Sequence, residues 1–171
     1  REKMKPIKKL EGKTVAIVGP AEPFHQTGVE IDSYDIVVRT NYRDKSNFPV
    51  ENFGRRTDVS YFNHFRVMNH LNEVVESASQ VSWTVLKNDS AEEIVRKGVG
   101  DRFNYNSRFS GIMDKLFFLN SQPMAIQNIL ADIVSFKPAK VKLFGVNFFN
   151  STTNYTSLYK RDIPYDRGTL N

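Results

Sequence analysis

Few side chains in this sequence are equipped for acid–base or nucleophilic chemistry. The chain of 171 residues holds three histidines, His25, His64 and His70, and no cysteine. Without cysteine there is neither a disulfide framework nor a thiolate metal site, and the spacing of the histidines does not describe a metal cluster. His70 falls within an amphipathic helical pattern, as a surface or interface residue. His25 and His64 fall in loops, where a lone histidine is more often a satisfied polar group than a catalyst. No serine sits in G-x-S-x-G, so a hydrolase triad has no support. Gly19 stands alone until Gly28, which fits no G-x-G-x-x-G dinucleotide fingerprint, and no G-x-x-x-x-G-K-[ST] phosphate loop occurs. There is no Asp-x-Asp to hold a divalent ion on a nucleotide sugar. Asp32 and Asp35, in IDSYD, stand where a carboxylate caps or pins a turn.

What remains suggestive is position, and position depends on the elements. Thr14–Val18 is short, β-branched and apolar on both faces, as a buried parallel strand should be. Gly19-Pro20 stops it. Asp35–Arg39, Thr57–Phe62, Val81–Leu86 and Val141–Phe144 predict four more strands. Between them, Val67, Leu71, Val74, Val75 and Ala78 share one helical face. Ser90 and Glu93 have capping-box spacing at the head of a short helix, Ser90–Arg96. Ser121 and Pro123 open a third helix whose Ile126, Ile129, Leu130, Ile133 and Val134 form an i, i+3, i+4, i+7, i+8 stripe ending at Lys137-Pro138. From Gly100 to Asn120 the pattern is mixed, and Asn150–Asn171 reads as loop.

Strands alternating with helices predict an α/β, Rossmann-like domain with a mostly parallel sheet flanked by helices. We expect a single domain over residues 1–171, with residues 1–13 as a basic N-terminal tail. The sequence YDRGTLN, with no closing helix, reads as a truncated C-terminus. Ligands of open parallel sheets bind beyond the carboxyl ends of the strands. The candidate site is therefore Gly19-Pro20, Thr40-Asn41, Asn63-His64 and Gly145-Val146-Asn147, joined by the helix end at Ser121. That end offers unpaired N–H groups and positive dipole charge to a phosphate.

The net charge of +5 suits anionic partners such as nucleotides, acidic sugars or phospholipid. Much of the excess lies in REKMKPIKKLEGK, which reads first as a solvated tail and otherwise suits peripheral association with an anionic membrane. That run lacks the apolar core of a signal peptide, and no stretch approaches the roughly 20 apolar residues of a membrane span. No groove-reading motif supports nucleic acid as a partner.

The segments AIVG, GVEIDSYDIVVRTN and GRRTDVSYFN, in that order, closely resemble the large sialylmotif of sialyltransferases. The match runs from Val15 to about Asn63. NSQPMAIQNILADIV and VKLFGVNFF have the layout of the small sialylmotif. GVNFFNSTTNY resembles the bacterial sialyltransferase segment in which strand-Gly-Ile-Asp-Phe-Tyr is followed by a second tyrosine, here Tyr155. The resemblance implies a sialyltransferase-type, GT-A-like variant of the fold. It implies inverting, metal-independent transfer of sialic acid or a related acid such as Kdo, from a CMP-activated donor to a glycan acceptor, with no cofactor. It puts Gly19, Pro20, Asn41 and Asn63 near the donor nucleotide, and Ser121, Gln122 and Tyr155 on the CMP phosphate. Gly145 and Asn147 join that donor site from the map of strand ends. A bacterial-type cytoplasmic location is expected ahead of a Golgi lumen.

Some positions depart from the family pattern. Pro20 stands in place of an asparagine and has no N–H to offer. Phe149 lacks the hydroxyl of the first family tyrosine, and the family disulfide cannot form. The family's general base lies beyond the tyrosine loop, yet no histidine follows His70. His64 and His25 are then the available stand-ins for deprotonating an acceptor hydroxyl. The second reading is accordingly a catalytically inactive or partial domain that binds nucleotide or glycan within a larger assembly.

Overall fold

The computed structural model describes residues 10–19, 21, 25–41, 49–86, 92–100, 103–106 and 125–146. Strands β1 (Thr14–Val18) and β2 (Ile36–Thr40) are β-branched at most positions and buried along nearly their whole length. Such strands belong in the middle of a sheet covered on both faces. They pair in parallel with β3 (Val59–Phe62), β4 (Trp83–Leu86), β5 (Phe103–Asn106) and β6 (Lys140–Phe144). The order across the sheet is β5-β4-β3-β2-β1-β6. The five expected strands are present, with ends shifted by at most two residues. β5 was not foreseen, because four residues on an outer strand carry too little pattern to show a period.

The helices are α1 (Gly28–Asp32), α2 (Val50–Phe53), α3 (His64–Asn69), α4 (Leu71–Ser79), α5 (Glu92–Val99) and α6 (Ala125–Ser135). The single helix expected through Val67 and Ala78 is broken at His70, whose φ of −140° and ψ of 43° are not helical. Its apolar face survives the break, with Val67, Val74 and Ala78 all buried. α1 and α2 are too short to show the helical period.

Strand order and handedness together assign the faces. From β1 the chain steps outward through β2 to β5, then returns across the sheet to β6 on the other side of β1. Right-handed crossovers put helices on one face for outward steps and on the opposite face for the return. The core follows that division. Ala16, Val18 and Val37 pack with Ile31 and Phe53 of α1 and α2. Phe62 and Leu86 pack with residues of α3, α4 and α5 on the same side. Val15, Ile17, Val38, Val59, Tyr61 and Val85 face the other way, onto Ile129 and Ile133 of α6.

Two expectations need correction. Val134, placed on the buried stripe of α6, is 53% exposed, while Asn128 and Asp132 face the sheet. Tyr61 donates a hydrogen bond to Asp132 on that inward face. The basic tail is also shorter than residues 1–13. Leu10 is fully buried in the core under α6, and the Gly12 N–H donates to the Lys137 carbonyl at 3.1 Å. Among the described residues, no helix is long and apolar enough to cross a membrane.

Candidate functional site

β6 lies on the other side of β1 from β2, so the strand order reverses at β1, and the carboxyl ends of β1 and β6 are where an open parallel sheet is expected to take a ligand. The two following loops are laced together there. The Gly19 N–H donates to the Phe144 carbonyl at 2.8 Å, and the Ala21 N–H to the Gly145 carbonyl at 2.9 Å. A Cβ on Gly19 would stand 2.5 Å from the Gly145 oxygen, and one on Gly145 would stand 2.6 Å from the Ala21 oxygen. Gly145 also has a φ of +59°, a region that L side chains rarely enter. The lone glycine after β1 is thus explained by a close crossing of two backbones.

One strand further along, Asn41 ends β2 with a φ of 48°. Asparagine tolerates this left-handed conformation better than most residues. Its N–H donates to the Tyr61 carbonyl at 2.7 Å, carrying the ladder one residue past the strand. Its side-chain oxygen accepts the Asn63 N–H at 3.0 Å. Asn63 in turn caps α3, its Oδ1 accepting the Arg66 N–H at 2.8 Å. The structure therefore brings Asn41 and Asn63 together and fixes each by a hydrogen bond to its side-chain oxygen.

The charged residues of the same segment do other work. Arg39 is 2% exposed and points under α2, where Nη2 donates to the Phe53 carbonyl at 2.6 Å and to the Arg56 carbonyl at 2.9 Å. Its Nε donates to Thr57 Oγ1 at 2.8 Å. Asp32 accepts the Arg55 and Arg56 N–H groups, and Arg56 reaches the carbonyls of Asp32, Tyr34 and Asp35 and the carboxylate of Asp58. Asp35 accepts both the N–H and the hydroxyl of Thr14. These two bonds, first the backbone one, hold the Asp35 carboxyl below its ordinary pKa, with Lys13 and Arg56 adding smaller charge effects. Asp32 pins the turn at Arg55–Arg56, as expected from its position, whereas Asp35 ties the start of β2 to the start of β1.

Of the histidines, His64 opens α3 directly after Asn63 at the end of β3. His25 is exposed in the connection between β1 and α1. His70 is engaged elsewhere, its Nδ1 lying 3.3 Å from Glu73, which also pairs with Arg66. Of the predicted site residues, Gly19, Asn41, Asn63 and Gly145 thus line up across the adjacent ends of β1, β2, β3 and β6. Pro20, Ser121, Gln122, Asn147, Phe149 and Tyr155 lie outside the described residues. α6 is described from Ala125 onward. Sequence reasoning missed the structural part of Arg39 and the Tyr61–Asp132 pair. A charge inside an apolar strand and a carboxyl inside an apolar helix were the available signals.

No protein-family model and no curated protein matches the chain. Solved structures do. A mammalian sialyltransferase matches with a TM-score of 0.57 and 15% identity, over 93% of this chain and 64% of that one. An α-2,3-sialyltransferase from Campylobacter jejuni in apo form matches with a TM-score of 0.57 and 10% identity, over 97% and 74%. A sialyltransferase solved with a trisaccharide acceptor and CMP matches with a TM-score of 0.52 and 15% identity, over 92% and 75%. The chain has a sialyltransferase-like α/β fold, and it spans 64% of the mammalian structure.

Proposed function

We propose that the crevice at the ends of β6, β1, β2 and β3 is a donor-nucleotide site. In this reading the domain transfers sialic acid or a related acidic sugar from CMP to a glycan acceptor. One observation carries it. Asn41 and Asn63 are locked together at the carboxyl edge of the sheet, in a fold shared with a sialyltransferase solved holding CMP and an acceptor. Fixed asparagines suit a cytosine or ribose, because an amide can both donate and accept hydrogen bonds. The N-terminal end of α6 points toward the same edge, since a crossover helix runs against the strands, and its dipole favours the CMP phosphate.

The resemblance to sialyltransferases supplies the reaction in this reading. An acceptor hydroxyl attacks the anomeric carbon from the face opposite CMP, the bond from that carbon to the phosphate oxygen breaks, and the configuration inverts. The helix end stabilises the charge on the departing phosphate, and the resemblance implies transfer without a divalent ion. The acceptor proton goes to a general base. His64, the first residue after Asn63, is the first candidate to test, and His25 the second.

Titration calorimetry with CMP tests the site. Asn41→Ala should weaken binding at least about tenfold, the loss expected when a fixed polar contact is removed. A folded wild-type protein that does not bind CMP would rule the reading out. Pro20, which has no N–H to offer where the family pattern has an asparagine, favours a second reading, a nucleotide-binding domain without turnover. Binding of CMP with neither hydrolysis nor transfer of a CMP-sugar selects that one. Loss of turnover in His64→Ala, with CMP affinity kept, selects the enzyme.

A further inference from the structure

We infer that the hydrogen bond between Tyr61 and Asp132 is the joint that sets α6 against the asparagine-bearing ends of β2 and β3. Resting on the donor-site reading above, this makes Tyr61 and Asp132 positioning residues for the nucleotide phosphate. The Tyr61 hydroxyl donates to Asp132 Oδ2 at 2.7 Å, across 71 residues of sequence. Tyr61 is 7% exposed and Asp132 is fully buried. Burying a carboxyl in an apolar layer is costly unless it is hydrogen-bonded. The apolar alternative was at hand, since Val134 on the same helix stands 53% exposed. α6 therefore turns a polar pair inward in place of a valine, which gives up some apolar burial and gains a fixed rotation and height for the helix.

Tyr61 is also where both halves of the site meet. Its carbonyl accepts the Asn41 N–H at 2.7 Å, and it stands two residues before Asn63, whose N–H bonds to Asn41. Its side chain, on the α6 face of the sheet, holds Asp132. From Asp132 back to Ala125 the helix rises about 10 Å, whereas the strand gains about 7 Å between Tyr61 and Asn63. On these rises Ala125, the first described residue of α6, comes level with the asparagines or beyond them. A shift at Asp132 moves the phosphate-holding end relative to the nucleoside-holding end, and leaves the asparagines in place.

The test compares CMP with cytidine, which lacks the phosphate. Tyr61→Phe removes one hydroxyl and keeps the ring. Its CMP affinity should fall about fivefold to tenfold, the effect of one buried hydrogen bond. Cytidine affinity, measured by competition, should stay within about twofold of wild type on the same scale. Asp132→Asn keeps an oxygen for Tyr61 and should retain CMP affinity, while Asp132→Leu should reproduce the loss seen in Tyr61→Phe. Melting curves taken alongside establish that each variant is folded. Equal losses for CMP and cytidine, or unchanged CMP affinity in folded Tyr61→Phe and Asp132→Leu, overturn the inference and leave the donor site standing. Absence of CMP binding in wild type overturns both.

Discussion

Replacing Arg39 by alanine should destabilise the protein severely and affect a ligand only through the fold. The guanidinium holds the Phe53 and Arg56 carbonyls, at 2.6 and 2.9 Å, and the Thr57 hydroxyl at 2.8 Å. The hydroxyl can turn to another partner, but the two carbonyls lose a charged donor. Each orphaned buried acceptor costs about 1–3 kcal/mol. Adding the lost packing of the Arg39 stem gives about 4 kcal/mol. For a domain of this size that corresponds to a melting temperature lower by roughly 8–16 °C. Urea titration by circular dichroism reads the same quantity as a shift in midpoint without a change in slope. Arg39→Lys keeps the charge and loses the planar fork, so it should recover about half of the loss. A folded Arg39→Ala variant within about 1 kcal/mol of wild type, but unable to bind CMP, would refute the reasoning. Arg39 would then be a ligand contact, and the scaffold role would be wrong.

Three further outcomes follow from the geometry. Gly145→Ala forces a Cβ to within 2.6 Å of the Ala21 carbonyl at a positive φ. It should lower stability by about 1–3 kcal/mol and weaken CMP binding through the displaced β1 loop, as melting and calorimetry would show. Asp35 has a folded pKa held below 3.8, so its contribution is present above that value and is lost as pH falls through the lower, folded one. Asp35→Asn should therefore flatten the acid limb of stability below the ordinary carboxylate range, read as the urea midpoint against pH. Val134→Lys should be tolerated, whereas Ile133→Lys, at a fully buried neighbour, should prevent folding. Equal tolerance would mean that α6 does not present the face described.

The sequence shows clearly those features that rest on apolar period alone. The four central strands are buried along nearly their whole length and two of them, β1 and β2, are mostly β-branched, so they stand out, and their alternation with helices leads to the parallel sheet. The features it hid are those where a polar interaction outweighs the apolar pattern. The stripe through Ile126 and Val134 is a good amphipathic pattern, yet the helix buries Asp132, hydrogen-bonded to Tyr61, and leaves Val134 exposed. At Arg-Thr-Asn, chain proximity suggests one ligand-binding group, and the structure divides it. Arg39 turns back to hold the α2–β3 corner, and Asn41, through its left-handed φ, reaches across to Asn63. The same division runs through the whole resembling segment. Asp32, Arg39 and Arg56 tie down turns, Asp35 joins the starts of β1 and β2, and Gly19 and Gly145 allow two loops to cross. A motif can therefore be matched over most of its length by scaffold residues alone. The donor-site reading gains its weight from the few residues, Asn41 and Asn63 first, that the scaffold brings to the open edge of the sheet.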